Sequence, residues 1–322
     1  MLESIKQKRP FIKELAQRYG YYKNEHFKKT IRSKYGCEHQ NLRFYIIGGV
    51  VDETAGLFAF VKAIFLHAAY AKEHGYTPVV DMQNFPNQYQ KANTIHDNVW
   101  EIFFKQPDNY HLYNIKKSRN IIFSKPFSRP SYKASQKLQL KRLTKNASAL
   151  REEFKQYIKL SAPMQEVCTQ KAEELLGKHR VLGVLCRGTD YLLKKPKYHP
   201  IQPDVDQLIA EAREVMQAQQ CTKLFLASED VEVVAKFKAE FGAKLITNQQ
   251  RLYNADELAQ VSYLSEIAEN NKIEIAKEYL VSVYMLSKCS CFIAGHTAGS
   301  VGAYLFSDGY EYDHIWDLGT YN

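Results

Sequence analysis

Residues 181–187, Val-Leu-Gly-Val-Leu-Cys-Arg, constrain the fold of this chain more than any other stretch. Val181, Leu182, Val184 and Leu185 make a short apolar run without the alternation of a half-exposed strand, so the pattern predicts a strand covered on both faces. Arg187 follows at once, opening Arg187-Gly188-Thr189-Asp190 and a basic stretch that ends at Pro203. Ligands of open α/β sheets bind at strand ends of this kind. An arginine there can grip two phosphate oxygens, while Thr189 and Asp190 can cap the turn or hold the arginine. The alternative, a surface Arg–Asp pair, leaves the following Lys-Tyr-His-Pro-Ile-Gln-Pro without a purpose.

The rest of the chain repeats the strand-then-helix rhythm. Residues 43–50 predict a strand ending in Gly48-Gly49, residues 55–74 a helix and residues 77–81 a second strand, which together form a βαβ unit. The turn 48–56 carries Asp52 and Glu53 but lacks GxGxxG spacing. Residues 120–124 form another short strand, and 125–146, basic and broken by Pro126 and Pro130, read as a surface excursion. A helical pattern spans 147–177 with a break at Pro163 and marks the domain boundary. Beyond it the pattern gives helix 205–218, strand 223–227, helix 231–240, strand 244–247, helix 273–287, strand 291–294 and helix 298–306, with 248–271 as a loop. The economical architecture is α/β, two Rossmann-like domains facing a cleft, residues 1–170 and 171–322.

Composition narrows the class of protein. With 322 residues, 45% hydrophobic and 25% charged, the chain can fill an ample core. It opens Met1-Leu2-Glu3-Ser4 and continues with lysines and arginines, without an apolar signal region, and no segment reaches membrane-span length, which predicts a soluble cytoplasmic protein. Cys37, Cys168, Cys186, Cys221, Cys289 and Cys291 read as reduced thiols, Cys289-Ser290-Cys291 being too tight for usual zinc spacing. The net charge of +9 gathers near the start and in the central excursion. Such patches suit an anionic membrane surface or a phosphate-bearing substrate, or a solvated face with no partner. Without a helix-turn-helix, zinc-finger or RNP signature, nucleic acid is not the expected partner.

Three strand tips of the second half are polar: Arg187–Asp190, Ser228-Glu229-Asp230, and Gly295-His296-Thr297-Ala298-Gly299-Ser300. In a doubly wound sheet they converge. The third opens a helix with small residues, so backbone N–H groups and the positive end of the helix dipole face the crevice. With Arg187 this makes a pyrophosphate site that needs no metal. Thr297 and Ser300 also suit simple caps, and Gly295 and Gly299 close packing.

These residues resemble the α1,6-fucosyltransferase and nodulation-fucosyltransferase superfamily. Arg187, Thr189, Asp190 and, nine residues after the Asp, His199-Pro200-Ile201 match its motif and spacing. Leu224–Asp230, Tyr279–Phe306 and, more loosely, Asn98–Pro107 resemble its other signatures. The resemblance implies a GT-B glycosyltransferase, inverting and metal-independent, using a nucleoside-diphosphate sugar, typically GDP-fucose, with no cofactor. The missing membrane anchor together with the basic patches suggests a role in bacterial surface-polysaccharide assembly, with a glycan or lipid-linked oligosaccharide acceptor and peripheral membrane association as an option. Donor binding falls to Arg187, Thr189, Ser228, Glu229, Asp230, His296, Thr297, Gly299 and Ser300. The chain departs from the family at four places. Leu185 stands for a His, Gly188 for a second Arg, Ser282 for the guanine-reading Asp, and Lys195 for the carboxylate expected as catalytic base. Glu278, one helical turn before Ser282, is the expected substitute for guanine reading. Asp190, His199, Glu53 and Asp52 remain as bases, His199 being equally suited to a structural turn. Transfer from another nucleotide sugar, or nucleotide-sugar binding without transfer, are the alternatives.

Overall fold

The computed structural model describes residues 38–90, 97–115, 117–124, 143, 145–187, 195, 199–248, 250–254 and 272–321. The chain divides into two compact units, residues 1–136 with 156–161, and 137–155 with 162–322. Each is built on a parallel sheet, in keeping with the α/β class expected from the sequence. Residue 170 lies within a helix of the second unit.

In the first unit, strand β1 (Phe44–Ile47) leads to helix α1 (Leu57–Glu73), strand β2 (Thr77–Val80), a short helix α2 (Trp100–Phe103) and strand β3 (Ile121–Phe123). The sheet order is β2-β1-β3, both pairings parallel. All four residues of β1 are buried, because Phe44 and Ile46 pack with Val79, Leu112 and Ile115 on one side while α1 covers the other. Trp100 is fully buried and stacks on Phe104 with ring centroids 4.4 Å apart.

Helix α3 (Ala147–Tyr157) and helix α4 (Ala162–Leu176) replace the single helix broken at Pro163. The break falls at 158–161, where the Lys105 and Ser161 N–H groups donate to the Lys159 and Phe103 carbonyls, and Ile158 and Leu160 are buried. Pro163 sits in the first turn of α4, where a missing N–H costs no hydrogen bond.

The second unit continues with strand β4 (Val181–Leu185), helix α5 (Val205–Ala218), strand β5 (Lys223–Ala227), helix α6 (Val231–Phe241), strand β6 (Leu245–Thr247), helix α7 (Lys272–Leu286), strand β7 (Cys291–Gly295), helix α8 (Ala298–Phe306) and strand β8 (Tyr312–Trp316). Helix α5 opens on a capping box in which Asp204 and Gln207 satisfy each other's backbone N–H groups. Helix α6 ends at Gly242, whose φ of 51° no β-carbon tolerates cheaply. The sheet order is β6-β5-β4-β7-β8, all parallel. The run Val181–Leu185 is buried at every position, as its composition predicts, with Leu182 and Val184 packing on Leu208, Phe237 and Ile293.

Strand β8 was not legible in the sequence. Its residues Tyr-Asp-His-Ile-Trp mix polar and aromatic types because the strand lies at the sheet edge, where only Ile315 is buried. Among the described residues, no helix is long and apolar enough to cross a membrane.

Candidate functional site

Strand order decides which loops of the second unit meet. Chain order runs outward from β4 through β5 to β6 on one side, then restarts at β7 on the other, so the direction reverses between β4 and β7. Loops leaving the carboxyl ends at such a reversal part to opposite faces and open a crevice. Leu185 pairs with both Ala227 and Ala294, so the tips after β5, β4 and β7 stand side by side.

Arg187 projects from the central tip. Its Nη1 lies 3.0 Å from Glu229 Oε1 on the β5 tip, each side chain about one-quarter exposed. A half-buried guanidinium held on one side by a carboxylate is fixed in direction, and Arg keeps its charge at any pH of interest. Cys186, beside it, donates its N–H to the Ala227 carbonyl, and burial pushes its thiol up to about 12. It is therefore no nucleophile.

The other two residues of the β5 tip have backbone work. The Ser228 carbonyl accepts from Gln250 Nε2 at 3.0 Å, and its hydroxyl accepts from the Asp230 N–H at 3.3 Å. The Asp230 carboxylate, fully buried, accepts from the N–H groups of Glu232 and Val233 as the N-cap of α6. Expected as a ligand-binding residue, Asp230 thus spends one oxygen on the helix it starts.

At the β7 tip, Thr297 is the N-cap of α8 and Ser300 completes a capping box. The Ser300 N–H donates to Thr297 Oγ1 at 3.0 Å, and the Thr297 N–H donates to Ser300 Oγ at 2.8 Å. Ser300 is buried, so its hydroxyl serves the cap. Gly299 faces the Tyr279 hydroxyl so closely that a β-carbon there would overlap it. His296, half-buried, donates its N–H to the Trp316 carbonyl.

The His-Pro-Ile motif approaches from the other side. The His199 carbonyl accepts from the Tyr321 N–H and the Ile201 N–H donates to the Gly319 carbonyl, so the motif runs antiparallel to residues 319–321. Gln202, buried, follows it and packs against Gly295, where a β-carbon would overlap its carboxamide, and donates to the His296 carbonyl at 3.2 Å. The motif is thereby tied to the β7 tip, with the His199 side chain exposed. Lys195 is exposed with φ at 40°. Thr189 and Asp190 lie outside the described residues.

A narrow crevice of about 10 Å³, about one water, is bounded by Arg187, Ser228, Glu229, Gln250, Tyr279 and Ser282. Ser282, on α7 and fully buried, donates to Gln250 Oε1 at 2.7 Å and accepts from Asn248 Nδ2 at 2.9 Å. Asn248 also donates to the Glu278 carbonyl. Glu278 does not border this crevice. Sequence reading therefore missed Asn248, Gln250 and Tyr279. The signal was present in Asn248, the first residue after β6 and a fourth polar strand tip on the same edge.

In the first unit, Glu53 is exposed on the turn after β1, its carbonyl accepting from the Gln88 N–H, while Asp52 Oδ1 accepts from the Thr54 N–H and hydroxyl. The glycine pair of that turn serves packing. The Phe85 ring lies where β-carbons of Gly48 and Gly49 would stand, and Gly49 has φ of 60°. Among the described residues, no group of three metal-ligating side chains is present.

No family model matches the chain, and no curated protein matches it. Among solved structures it is similar to fucosyltransferase NodZ from Bradyrhizobium, at 15% identity over 82% of this chain and 93% of that one, TM-score 0.47. It is also similar to Arabidopsis thaliana FUT1 in complex with GDP, at 11% identity over 94% and 78%, TM-score 0.47. POFUT1 in complex with GDP-fucose follows at 10% identity over 87% and 99%, TM-score 0.46. At these identities and TM-scores, function has to be read from the residues themselves.

Proposed function

We propose that this chain is a glycosyltransferase that takes its sugar from a nucleoside diphosphate, with GDP-fucose as donor and a glycan hydroxyl as acceptor. The observation that carries the reading is the placement of Arg187 and the N-terminus of α8 on the two sides of the strand-order reversal between β4 and β7. A diphosphate there meets a fixed guanidinium and the partial positive charge of a helix start, two sources of stabilisation for an anionic leaving group. The motif shared with fucosyltransferases, Arg187 through His199-Pro200-Ile201, favours fucose over other sugars.

In the reaction, the acceptor oxygen attacks the anomeric carbon from the face opposite the diphosphate, the glycosidic bond to phosphate breaks, and the configuration inverts. Negative charge grows on the departing diphosphate, and Arg187 with the α8 amides lowers the barrier by meeting it. A base removes the acceptor proton; Asp190, His199 and Glu53 are the proposed candidates. Glu278, whose carboxylate can accept from N1 and N2 of guanine, is the proposed base-reading residue.

The test is a thermal-shift comparison of GDP and UDP on the wild type, Arg187→Ala and Glu278→Gln, since a ligand that binds only the folded chain raises its melting temperature. GDP is expected to stabilise the wild type more than UDP. Arg187→Ala should abolish both shifts and slow transfer by the equivalent of about 2 to 4 kcal/mol. Glu278→Gln should erase the preference for GDP alone. A wild type indifferent to both nucleotides would overturn the reading, and a preference for UDP would remove the fucose donor while keeping the transferase.

A further inference from the structure

We propose that a second site, on the face of the second unit formed by α5 and the edge strand β8, binds a neutral oligosaccharide. Tyr312, His314 and Trp316 alternate along β8 and so share one face, and Gln207, Glu211 and Glu214 follow at helical spacing on α5. Together they wall an open groove of about 640 Å³, within the range of small-ligand sites. It shares no residue with the crevice at Arg187, and the Trp316 carbonyl, which accepts from the His296 N–H, is its link to the β7 tip.

The lining alternates ring faces with carboxylates. His314 and Trp316 lie 4.3 Å apart, centroid to centroid, with planes tilted by 37°. Tyr312 and Trp316 pack their inner edges on the hydrophobic core, which fixes both rings before any ligand arrives. Glu211 Oε1 accepts from the Tyr312 hydroxyl at 3.3 Å and lies 2.7 Å from His314 Nδ1. Glu214 is exposed at the rim.

A pyranose ring offers what this lining can take: a C–H face that stacks on an aromatic ring, and a girdle of hydroxyls that donate to carboxylates. A cationic ligand fits less well. The Glu211 charge is already met inside the groove by two donors, and that of Glu214 is screened by solvent.

Tryptophan fluorescence gives a direct reading, because the chain has two tryptophans and Trp100 is fully buried, so collisional quenching by acrylamide reports Trp316. Maltotetraose, cellotetraose and chitotetraose are titrated into the wild-type protein. At least one is expected to protect Trp316 saturably. Trp316→Ala, followed by saturation-transfer NMR, and Glu211→Gln with Glu214→Gln, which leaves the core untouched, should each weaken binding tenfold or more. Arg187→Ala and added GDP should leave it unchanged, which separates this site from the transfer reading. No protection by any of the three sugars, binding undiminished in both variants, or protection by tetralysine in their place would overturn the proposal.

Discussion

Single residues in this chain hold their positions for reasons that differ from those their chemistry suggests. Gly48 and Gly49 open an acidic turn that lacks the spacing of a phosphate loop, and the Phe85 ring fills the space above them. Gly48→Ala should therefore destabilise the protein by about 1 to 3 kcal/mol through overpacking, and Phe85→Leu should recover much of that loss when the two are combined. Urea unfolding of the single and double variants checks this, and a loss unchanged by Phe85→Leu would rule the ring out as its cause. The same divergence explains how much of the site could be read in advance. Arg187 stood out because a charge at the end of an apolar run needs a reason. Ser300 suited a ligand and a cap alike, and Asp230 was read as a ligand yet caps a helix, since both uses need an oxygen near free N–H groups and only geometry separates them. Gln250 and Asn248 carried no charge or rare residue type to draw notice.

Strands buried on two faces were legible in the sequence, and among the edge strands β3 and β6 were legible as short apolar runs while β8 was not. Strands β4, β5 and β7 announce themselves as apolar runs, whereas β8, among the described residues, pairs with β7 alone and keeps a solvated side. Its Asp313 shows the tension in an edge strand. Burial pushes the Asp313 carboxyl above its ordinary range, with Arg151 and His314 opposing. A carboxyl that binds its proton more tightly when folded lowers stability once the pH passes its folded value, and costs nothing below its unfolded value near 3.9. Asp313→Asn should thus melt at a higher temperature than the wild type at pH 7, with the gap closing as pH falls towards about 4. A gap that widens on acidification would show that Asp313 is stabilising in its charged form.

At the scale of the whole molecule, the alternating pattern foretold two α/β units, and the chain makes them by weaving: residues 156–161 return to the first unit after 137–155 have joined the second. No periodicity in the sequence signals that return, because it depends on backbone pairing between 103–105 and 159–161 rather than on side-chain type. The proposed chemistry draws its positive charge from Arg187 and a helix start, so transfer should persist in excess EDTA. Complete loss, restored by Mg²⁺ or Mn²⁺, would assign the leaving-group charge to a metal instead. The walls of the crevice come from positions as far apart as 187, 229, 250 and 282, carried by neighbouring strand ends of one sheet and by helix α7. Each of these positions thus depends on a different element of the same unit being in place. Nucleotide affinity becomes an assay of cooperative folding: a substitution anywhere in the sheet that frees one strand should erase binding in an all-or-none manner, in proportion to the population that has come undone.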